Sequence, residues 1–370
     1  MVDNDIKAAV TGMAWTTALG NDLDLVWARL LSGESGLRHL SSHLDLRNEL
    51  VASVDSQALP GEKIDEITRS TIELALKDSG VDPVSSKIML IVGTSFGARL
   101  DDERSNQSQL HLWVDKIAAD LGLTSVVLST ACSSGSDAIL AGSALIKAGY
   151  ADICICGGAD ILGDSKRLAH SALGTMSQTF IRSFDKQRDG TILGEGAGFV
   201  VLEKYTKSLN KKVYALLNGC GSANDASGLT APDEKGNGIT LAIQRSLNNA
   251  KLDKSKIQLI NAHGSGTLTN DMVEAKAYKR FFDETKPYIF ATKGAFGHSL
   301  GATGALEAIA LIMALQAQVI PPINNLTDPL EGDSFVFPVT KAWQHNAFIG
   351  LSLTIGFGGF NTSLIFEKVS

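Results

Sequence analysis

A chain of 370 residues exceeds a single minimal domain and predicts either two domains or one large core with two lobes. Hydrophobic residues make up 44% of it and charged residues 20%, a balance that excludes an intrinsically disordered chain. The formal net charge of -7 argues against broad binding of nucleic acid, because neutralising a phosphate backbone requires clustered Lys and Arg side chains.

The sequence predicts neither a membrane partner nor a metal site. No apolar run has the length of a membrane span or a signal peptide, so we expect a cytoplasmic protein. The four cysteines are too sparse for a disulfide framework. Cys154 and Cys156 alternate in a strand-like run and are too close in sequence for good zinc geometry, so both are predicted to be buried thiols.

Strand-like and helical segments alternate along the chain. The predicted strands are Ile6–Gly12, Ile88–Gly93, Val126–Leu128, Ile153–Cys156, Gly198–Leu202, Val213–Leu217, Leu259–Asn261, Ile289–Ala291, Phe348–Leu353 and Asn361–Phe366. The predicted helices are Asp24–Leu31, Glu66–Asp78, Ser134–Lys147, Ile239–Asn248, Asp271–Phe282 and Gly304–Leu315. This alternation predicts a layered α/β fold.

Two of the helical segments, residues 133–149 and 301–318, are crowded with Gly, Ala and Ser and carry few charges. Small residues let a helix approach its neighbours closely, so both helices are predicted to be buried on nearly all sides. Each follows a strand and a polar segment. This parallel predicts two related halves, residues 1–205 and 212–370, joined by a polar linker; two unrelated core helices are the alternative.

Cys132 lies between an apolar strand and the first of these helices. There it meets unpaired backbone N–H groups and the positive end of the helix dipole, which favour thiolate over thiol. The position predicts a nucleophile, whereas the alternative is a buried structural cysteine.

His263, Lys293 and His298 follow strands in Gly-flanked loops. A single histidine of this kind is usually structural, but two histidines, a cysteine and a lysine at strand ends fit a catalytic pocket. Near the end of the chain, glycines surround Phe357 between two strands. They allow a backbone N–H to point into a cavity as an oxyanion donor, and a simple hairpin turn is compatible with the same pattern.

Taken together and in order, TACSSG, NAHGSGT, TKGAFGHSLGATGALE and GFGGFN resemble the signature blocks of the β-ketoacyl-acyl-carrier-protein synthases. SFDKQRDGTILGEGAGFVVLEK resembles a further block, and the likeness extends over nearly the whole chain. The resemblance implies the thiolase-like fold, in which two similar halves form five layers, α-β-α-β-α, usually in a dimer.

The resemblance also assigns roles to residues. The positions that match the family's catalytic residues are Cys132 as nucleophile, His263 and His298 as the catalytic histidines, and Lys293 and Glu307 as the supporting pair. The implied oxyanion donors are the backbone N–H groups of Cys132 and Phe357, and the Phe357 side chain resembles the gate over the acyl pocket. The hydroxyls that match the pantetheine contacts belong to Ser265, where the family usually has Thr, and to Thr267.

These roles imply an acyltransferase that condenses an acyl-enzyme with a malonyl thioester in fatty acid or polyketide biosynthesis. The substrates are carried on the phosphopantetheine of an acyl carrier protein, no other cofactor is needed, and the partner is a second copy or a related ketosynthase-like chain. One alternative is a chain-length-factor-like or decarboxylating partner subunit, although such subunits usually lack the cysteine. Another is a Cys-His hydrolase, in which His298 and Lys293 have no assigned task.

Two further expectations concern surfaces. The segment Phe96–Leu121 is shorter than is usual in the family, and in relatives this region helps to build the dimer contact and the floor of the acyl tunnel. Because fewer residues are left to close the acyl pocket, part of its wall is expected to come from a second subunit. An acidic carrier protein needs local positive charge for docking. The candidates for that charge are Lys63, Arg69, Arg182, Lys186 and Arg188.

Overall fold

The computed structural model describes residues 7–83, 87–101, 109–206, 209–330 and 335–369. Its strands are β1 (Ala8–Thr16), β2 (Leu37–His39), β3 (Leu50–Ala52), β4 (Ile88–Gly93), β5 (Thr124–Leu128), β6 (Ile153–Asp160), β7 (Gly196–Lys204), β8 (Ala215–Asn224), β9 (Leu259–Asn261), β10 (Tyr288–Phe290), β11 (Val319–Ile320), β12 (Trp343–Gln344), β13 (Ile349–Gly356) and β14 (Phe360–Glu367). Its helices are α1 (Leu23–Leu31), α2 (Pro60–Ser79), α3 (Leu112–Asp120), α4 (Ser134–Lys147), α5 (Asp164–Ala172), α6 (Asn237–Ala250), α7 (Leu268–Phe281), α8 (Lys293–Phe296) and α9 (Thr303–Ala317).

The main sheet is built from two halves with the same strand pattern. Its order is β10-β9-β13-β14-β8-β1-β7-β6-β4-β5. In the first half β1 pairs antiparallel with β7, β7 antiparallel with β6, and β6 and β5 parallel with β4. In the second half β8, β14, β13, β9 and β10 repeat this sequence of pairings. The halves join where β1 pairs with β8.

The helices form three layers around the two half-sheets. Helices α4 and α9 pack against each other, and each contacts strands of both halves. Helices α2 and α3 cover the first half, and α6 covers the second, with α7 packed against α6. The arrangement is the five-layered α-β-α-β-α fold with two similar halves that the resemblance implies. The boundary between the halves, expected near residues 205–212, stays a prediction.

Close packing explains the small residues of the central helices. A Cβ at Gly142 of α4 would overlap Cys156 Sγ on β6, and one at Gly304 of α9 would overlap Ser136 Oγ on α4. Cys154 and Cys156 are free and fully buried, as predicted. The stretch Leu300–Ala317 is long and apolar enough to cross a membrane, but 89% of it is buried inside the protein, so it is a core helix.

The predicted strands and helices all correspond to elements of the structure. Most of their ends differ by up to four residues, whereas α2 begins six residues earlier and β8 ends seven residues later than predicted. Ile6 lies outside the described residues. The prediction missed the short pairs β2–β3 and β11–β12 and three helices, α3, α5 and α8. Helix α3 lies in the shortened segment Phe96–Leu121, of which residues 102–108 are not described. The described part of that segment packs against α2.

Replacing Gly142 by Ala tests the contact between α4 and β6. Although Ala is the better helix former, we expect Gly142→Ala to lower the free energy of unfolding by about 1–3 kcal/mol, because the new Cβ overlaps Cys156 Sγ. Thermal denaturation of Gly142→Ala, Cys156→Ala and the double variant measures this. The Cys156→Ala background should recover part of the loss, and unchanged stability of Gly142→Ala alone would contradict the close approach.

Candidate active site

Cys132 lies where the chain turns from β5 into α4. A 3-10 turn, Ala131–Ser133, joins the two, and Ala131 adopts a left-handed conformation with φ of 53°. The Ser134 side chain accepts a hydrogen bond from the Thr130 N–H at 2.9 Å and donates one to the Ala131 carbonyl at 2.6 Å, which fixes the turn. Cys132 is therefore held in one position, and only 5% of its surface is exposed.

His298 lies just before the corresponding 3-10 turn, Leu300–Ala302, which precedes α9. Its backbone N–H donates to Ile192 at 2.8 Å and its carbonyl accepts from Gly194 at 2.9 Å, so its backbone is fixed. Its Nδ1 accepts a hydrogen bond from the Leu300 N–H at 3.1 Å. A neutral imidazole whose Nδ1 accepts must carry its proton on Nε2, so His298 offers a donor to its surroundings.

His263 follows β9 and is held from two sides. Its backbone N–H donates to the Glu274 carboxylate at 2.8 Å, and its Nδ1 lies 3.2 Å from Lys293 Nζ. Because an ammonium group can only donate, Nδ1 accepts and Nε2 carries the proton. The His263 and His298 rings are nearly perpendicular, with centroids 5.4 Å apart. The two Nε2–H groups can therefore donate hydrogen bonds to the same bound group.

Lys293 and Glu307 form a buried ion pair behind His263. Lys293 also donates to the His263 carbonyl, and Glu307 accepts from the Thr354 hydroxyl at 3.1 Å. Burial raises the pKa of Glu307 to about 7, although Lys293 acts in the opposite direction. Neither residue lines the cavity described below, so the pair supports His263 from behind rather than facing a substrate.

Burial controls the charges of the reactive groups. It lowers the pKa of His263 and that of His298 well below the usual value, and the charge of Lys293 acts in the same direction. Both imidazoles are therefore neutral at physiological pH. Burial also raises the pKa of the Cys132 thiol to about 11, against the opposing effects of Lys293 and the Phe357 N–H. Burial therefore opposes the effect of the helix end on the Cys132 thiol, and the expectation that the helix end favours the thiolate stays a prediction.

Phe357 lies in the turn between β13 and β14, so this segment is a hairpin turn, as the sequence allowed. Gly358 and Gly359 adopt φ angles of 81° and 79°, which favour glycine. A Cβ at Gly356 would lie 3.0 Å from the Thr130 carbonyl oxygen, so this turn approaches the nucleophile closely. The Phe357 backbone N–H acts on the Cys132 thiol and favours its charged form, which lowers its pKa.

A cavity of about 300 Å³ connects these groups. The predicted site residues that line it are Cys132, His263, His298, Ser265, Thr267 and Phe357. The Ser265 and Thr267 hydroxyls are 2.9 Å apart. The described residues of Phe96–Leu121 do not line this cavity; Phe96, Leu112 and Trp113 border a separate groove beside α2. The described residues of this segment thus do not contribute to the cavity wall, and the expectation that a second subunit supplies part of that wall stays a prediction.

His170 is a cavity residue that the sequence did not indicate. It lies in the last turn of α5 and its ring stacks on Phe357, with centroids 5.5 Å apart and planes 19° apart. Glu274, which holds the His263 backbone, was also missed. Neither residue lies in a distinctive local pattern, and their roles depend on contacts across the fold.

Two of the five candidates for carrier docking have partners inside the protein. Lys63 is paired with the buried Glu195, and Arg188 is 5% exposed and donates to three backbone carbonyl groups. These contacts argue against a docking role for the two side chains, and the docking surface stays a prediction. Among the described residues no cluster of three or more His, Cys, Asp or Glu side chains could hold a metal ion.

The chain matches two family models, the Beta-ketoacyl synthase N-terminal domain over residues 62–208 and the Beta-ketoacyl synthase C-terminal domain over residues 214–327. The 3-oxoacyl-[acyl-carrier-protein] synthase 2 of Vibrio harveyi is 32% identical, over 98% of this chain and 99% of the relative.

Solved structures are similar over the same extent. A β-ketoacyl synthase from Burkholderia phymatum STM815 has a TM-score of 0.87 at 28% identity, and the ishigamide ketosynthase/chain length factor has a TM-score of 0.89 at 26% identity. Both matches cover 99% of this chain and 100% of the other. The chain therefore belongs to the β-ketoacyl synthase family and is a condensing ketosynthase, an acyltransferase.

Proposed function

We propose that Cys132 accepts an acyl group from a carrier thioester and that His263 and His298 promote its condensation with a malonyl thioester. The observation that carries this proposal is the meeting, in one cavity, of a thiol, two neutral imidazoles and the Phe357 N–H. A 3-oxoacyl thioester is the product. The pathway is fatty acid or polyketide biosynthesis.

In the first step the Cys132 sulfur attacks the acyl thioester carbonyl. The bond between that carbonyl and the pantetheine sulfur breaks, and the pantetheine thiol leaves with the proton that Cys132 gives up. The carbonyl oxygen becomes an oxyanion, which the backbone N–H groups of Cys132 and Phe357 stabilise; removing one such donor typically costs roughly 3–4 kcal/mol. Both groups border the cavity, which supports this assignment.

In the second step the malonyl thioester loses carbon dioxide. The electron pair of the broken carbon–carbon bond moves into an enolate, whose oxygen needs hydrogen-bond donors. The Nε2–H groups of His263 and His298 are suited to this role, because burial keeps both rings neutral and Nδ1 of each accepts from a fixed partner. Lys293, paired with Glu307, fixes the tautomer of His263.

In the third step the enolate carbon attacks the acyl group on Cys132. The carbon–sulfur bond breaks, the 3-oxoacyl thioester leaves, and the Cys132 thiolate takes up a proton. Loss of carbon dioxide drives carbon–carbon bond formation, so the reaction needs no metal and no redox cofactor.

The substrates are held by the pantetheine arm of an acyl carrier protein, the carrier named in the description of the Vibrio harveyi relative. Ser265 and Thr267, whose hydroxyls border the cavity, are proposed to hydrogen-bond that arm. We place the enzyme in the cytoplasm, and we assign the nucleophile to a half spanning residues 1–205 and the histidines to a half spanning 212–370.

A second subunit is proposed to cover the edge strand β5, which has a neighbour on one side only among the described strands. Val126 on this strand is 40% exposed, and Phe96 and Leu112, in the segment between β4 and β5, are about half exposed. Unpaired strand edges with apolar neighbours are places where another chain adds. The partner is a copy of this chain or a related ketosynthase-like subunit, as in the ishigamide ketosynthase/chain length factor.

The alternative of a chain-length-factor-like partner is disfavoured, because Cys132 lies in the cavity with both histidines. A Cys-His hydrolase is disfavoured because a hydrolase has no use for a second histidine with an Nε2–H donor. Either alternative predicts no 3-oxoacyl product.

Intact-mass spectrometry with acyl carrier thioesters tests the loading step. We expect one acyl adduct on the parent chain and on Cys220→Ala, and none on Cys132→Ala. With a small acyl thioester the rate should rise as the pH increases toward the Cys132 pKa of about 11, by about tenfold per unit, because the thiolate fraction grows. Adducts that persist on Cys132→Ala would remove Cys132 from its role.

The histidines are expected to serve decarboxylation more than loading. His263→Ala and His298→Ala should still form the acyl-enzyme, whereas release of carbon dioxide from the malonyl thioester should fall by about 100-fold or more, because each removes a donor to the enolate oxygen. His39 is exposed, so His39→Ala serves as the control variant. It should load acyl groups and release carbon dioxide at the rates of the parent chain. Parental decarboxylation in both site variants would refute the assignment.

Light scattering tests the proposed second subunit. The isolated chain should be a dimer that buries more than ~2,000 Å², and Val126→Lys should shift it toward monomer because it places a charge on the edge strand. Leu241→Lys adds the same charge at a 44% exposed position on α6 and should leave the mass unchanged. A stable and fully active parental monomer would contradict the proposal.

A further inference from the structure

His170 is tethered by a side chain from the loop that follows its helix. Its Nδ1 lies 3.0 Å from Thr175 Oγ1, and that hydroxyl donates to the His170 carbonyl at 3.1 Å. A hydroxyl has a single proton, so Thr175 must accept the hydrogen bond from Nδ1–H. Thr175 is itself held, because its carbonyl accepts from the Thr191 N–H at 2.8 Å. The imidazole plane is thus fixed to the protein frame.

The ring that His170 contacts has little other local support. Phe357 is flanked by Gly356 and Gly358, which offer no side chains to pack against it. His170 is the stacked aromatic neighbour of Phe357 among the described residues. Offset-stacked rings attract each other beyond the effect of burying their apolar area. The stack with His170 therefore contributes to the position of the Phe357 ring.

The charge of His170 suits this contact. Burial lowers the pKa of His170 to about 4, and the nearby Lys166 acts in the same direction. The imidazole is neutral at physiological pH, so it can pack in a cavity that also holds two neutral histidines. His170 and Phe357 both line this cavity together with Cys132.

We propose that His170 is a positioning residue, whose imidazole, tethered to Thr175, holds the Phe357 ring beside Cys132 and so restricts the acyl groups that load onto the thiol. The inference about acyl selection rests on the proposed function, because it requires acyl loading at Cys132. The contact between His170 and Phe357 does not depend on that function. Bulky acyl groups must displace the stacked pair, whereas small acyl groups pass it.

The contact is tested by ¹⁹F NMR of the protein with 4-fluorophenylalanine at position 357. In the parent chain we expect the ¹⁹F chemical shift to differ from that of the free amino acid, because the imidazole ring lies against the fluorinated ring. His170→Ala should move it toward the free position, and His170→Phe should keep a displaced resonance because it retains an aromatic face. The matched control is Leu168→Ala, at an exposed position of the same helix. An unchanged resonance in His170→Ala would overturn the proposal.

Acyl selection is tested by intact-mass measurement of loading rates with acetyl, butyryl, octanoyl and dodecanoyl pantetheine thioesters. His170→Ala should raise the ratio of dodecanoyl to acetyl loading by about tenfold, the scale of selectivity of a small change in a pocket, and His170→Phe should restore the parental ratio. An equal change for all four acyl groups would overturn the proposal. If the parent failed to load any of them, the proposed function would fail, and the NMR experiment would still decide the contact.

Discussion

The close packing of α4 and α9 between the two half-sheets is the constraint on which the rest of the structure depends. Both helices begin with a 3-10 turn, and the two turns contact each other. The first residues of these turns, Ala131 and Leu300, share a left-handed backbone with φ of 53° and 49°. The packing thus brings the starts of the two helices to one place, and the cavity forms there.

The two helix starts are similar in backbone but not in the space around them. Cys132 is the middle residue of one turn and Gly301 is the middle residue of the other. A Cβ at Gly301 would overlap the Ser95 N–H group, and the Gly301 N–H donates to Asp160 at 3.0 Å. The second half therefore has no room for a nucleophile at the equivalent position. Its contribution is His298, just before the turn.

The strands and helices that were predicted correctly are those in which the apolar residues of the sequence are also the buried residues of the structure. The bounds of β4, α4 and β9 agree with the prediction, and the central helices were identified by their small residues. Four ordered blocks indicated Cys132 and its partners. The thiol pKa could not be predicted in this way, because the sequence shows the helix that favours the thiolate but not the burial that opposes it.

Helix α5 shows why the remaining part of the site was missed. Its buried side chains are the charged Lys166 and Arg167, whereas Leu168 is 46% exposed, so its hydrophobic pattern is the reverse of an ordinary core helix. The burial is possible because Lys166 pairs with the buried Asp160 and Arg167 donates to a backbone carbonyl. Leu40, whose carbonyl accepts from Arg167, is distant in sequence, and Asp160 lies outside the helix at the end of β6, so the helical pattern of α5 does not indicate either partner. Since this helix carries His170, the same contacts with other elements that obscured the helix in the sequence also position the wall of the cavity.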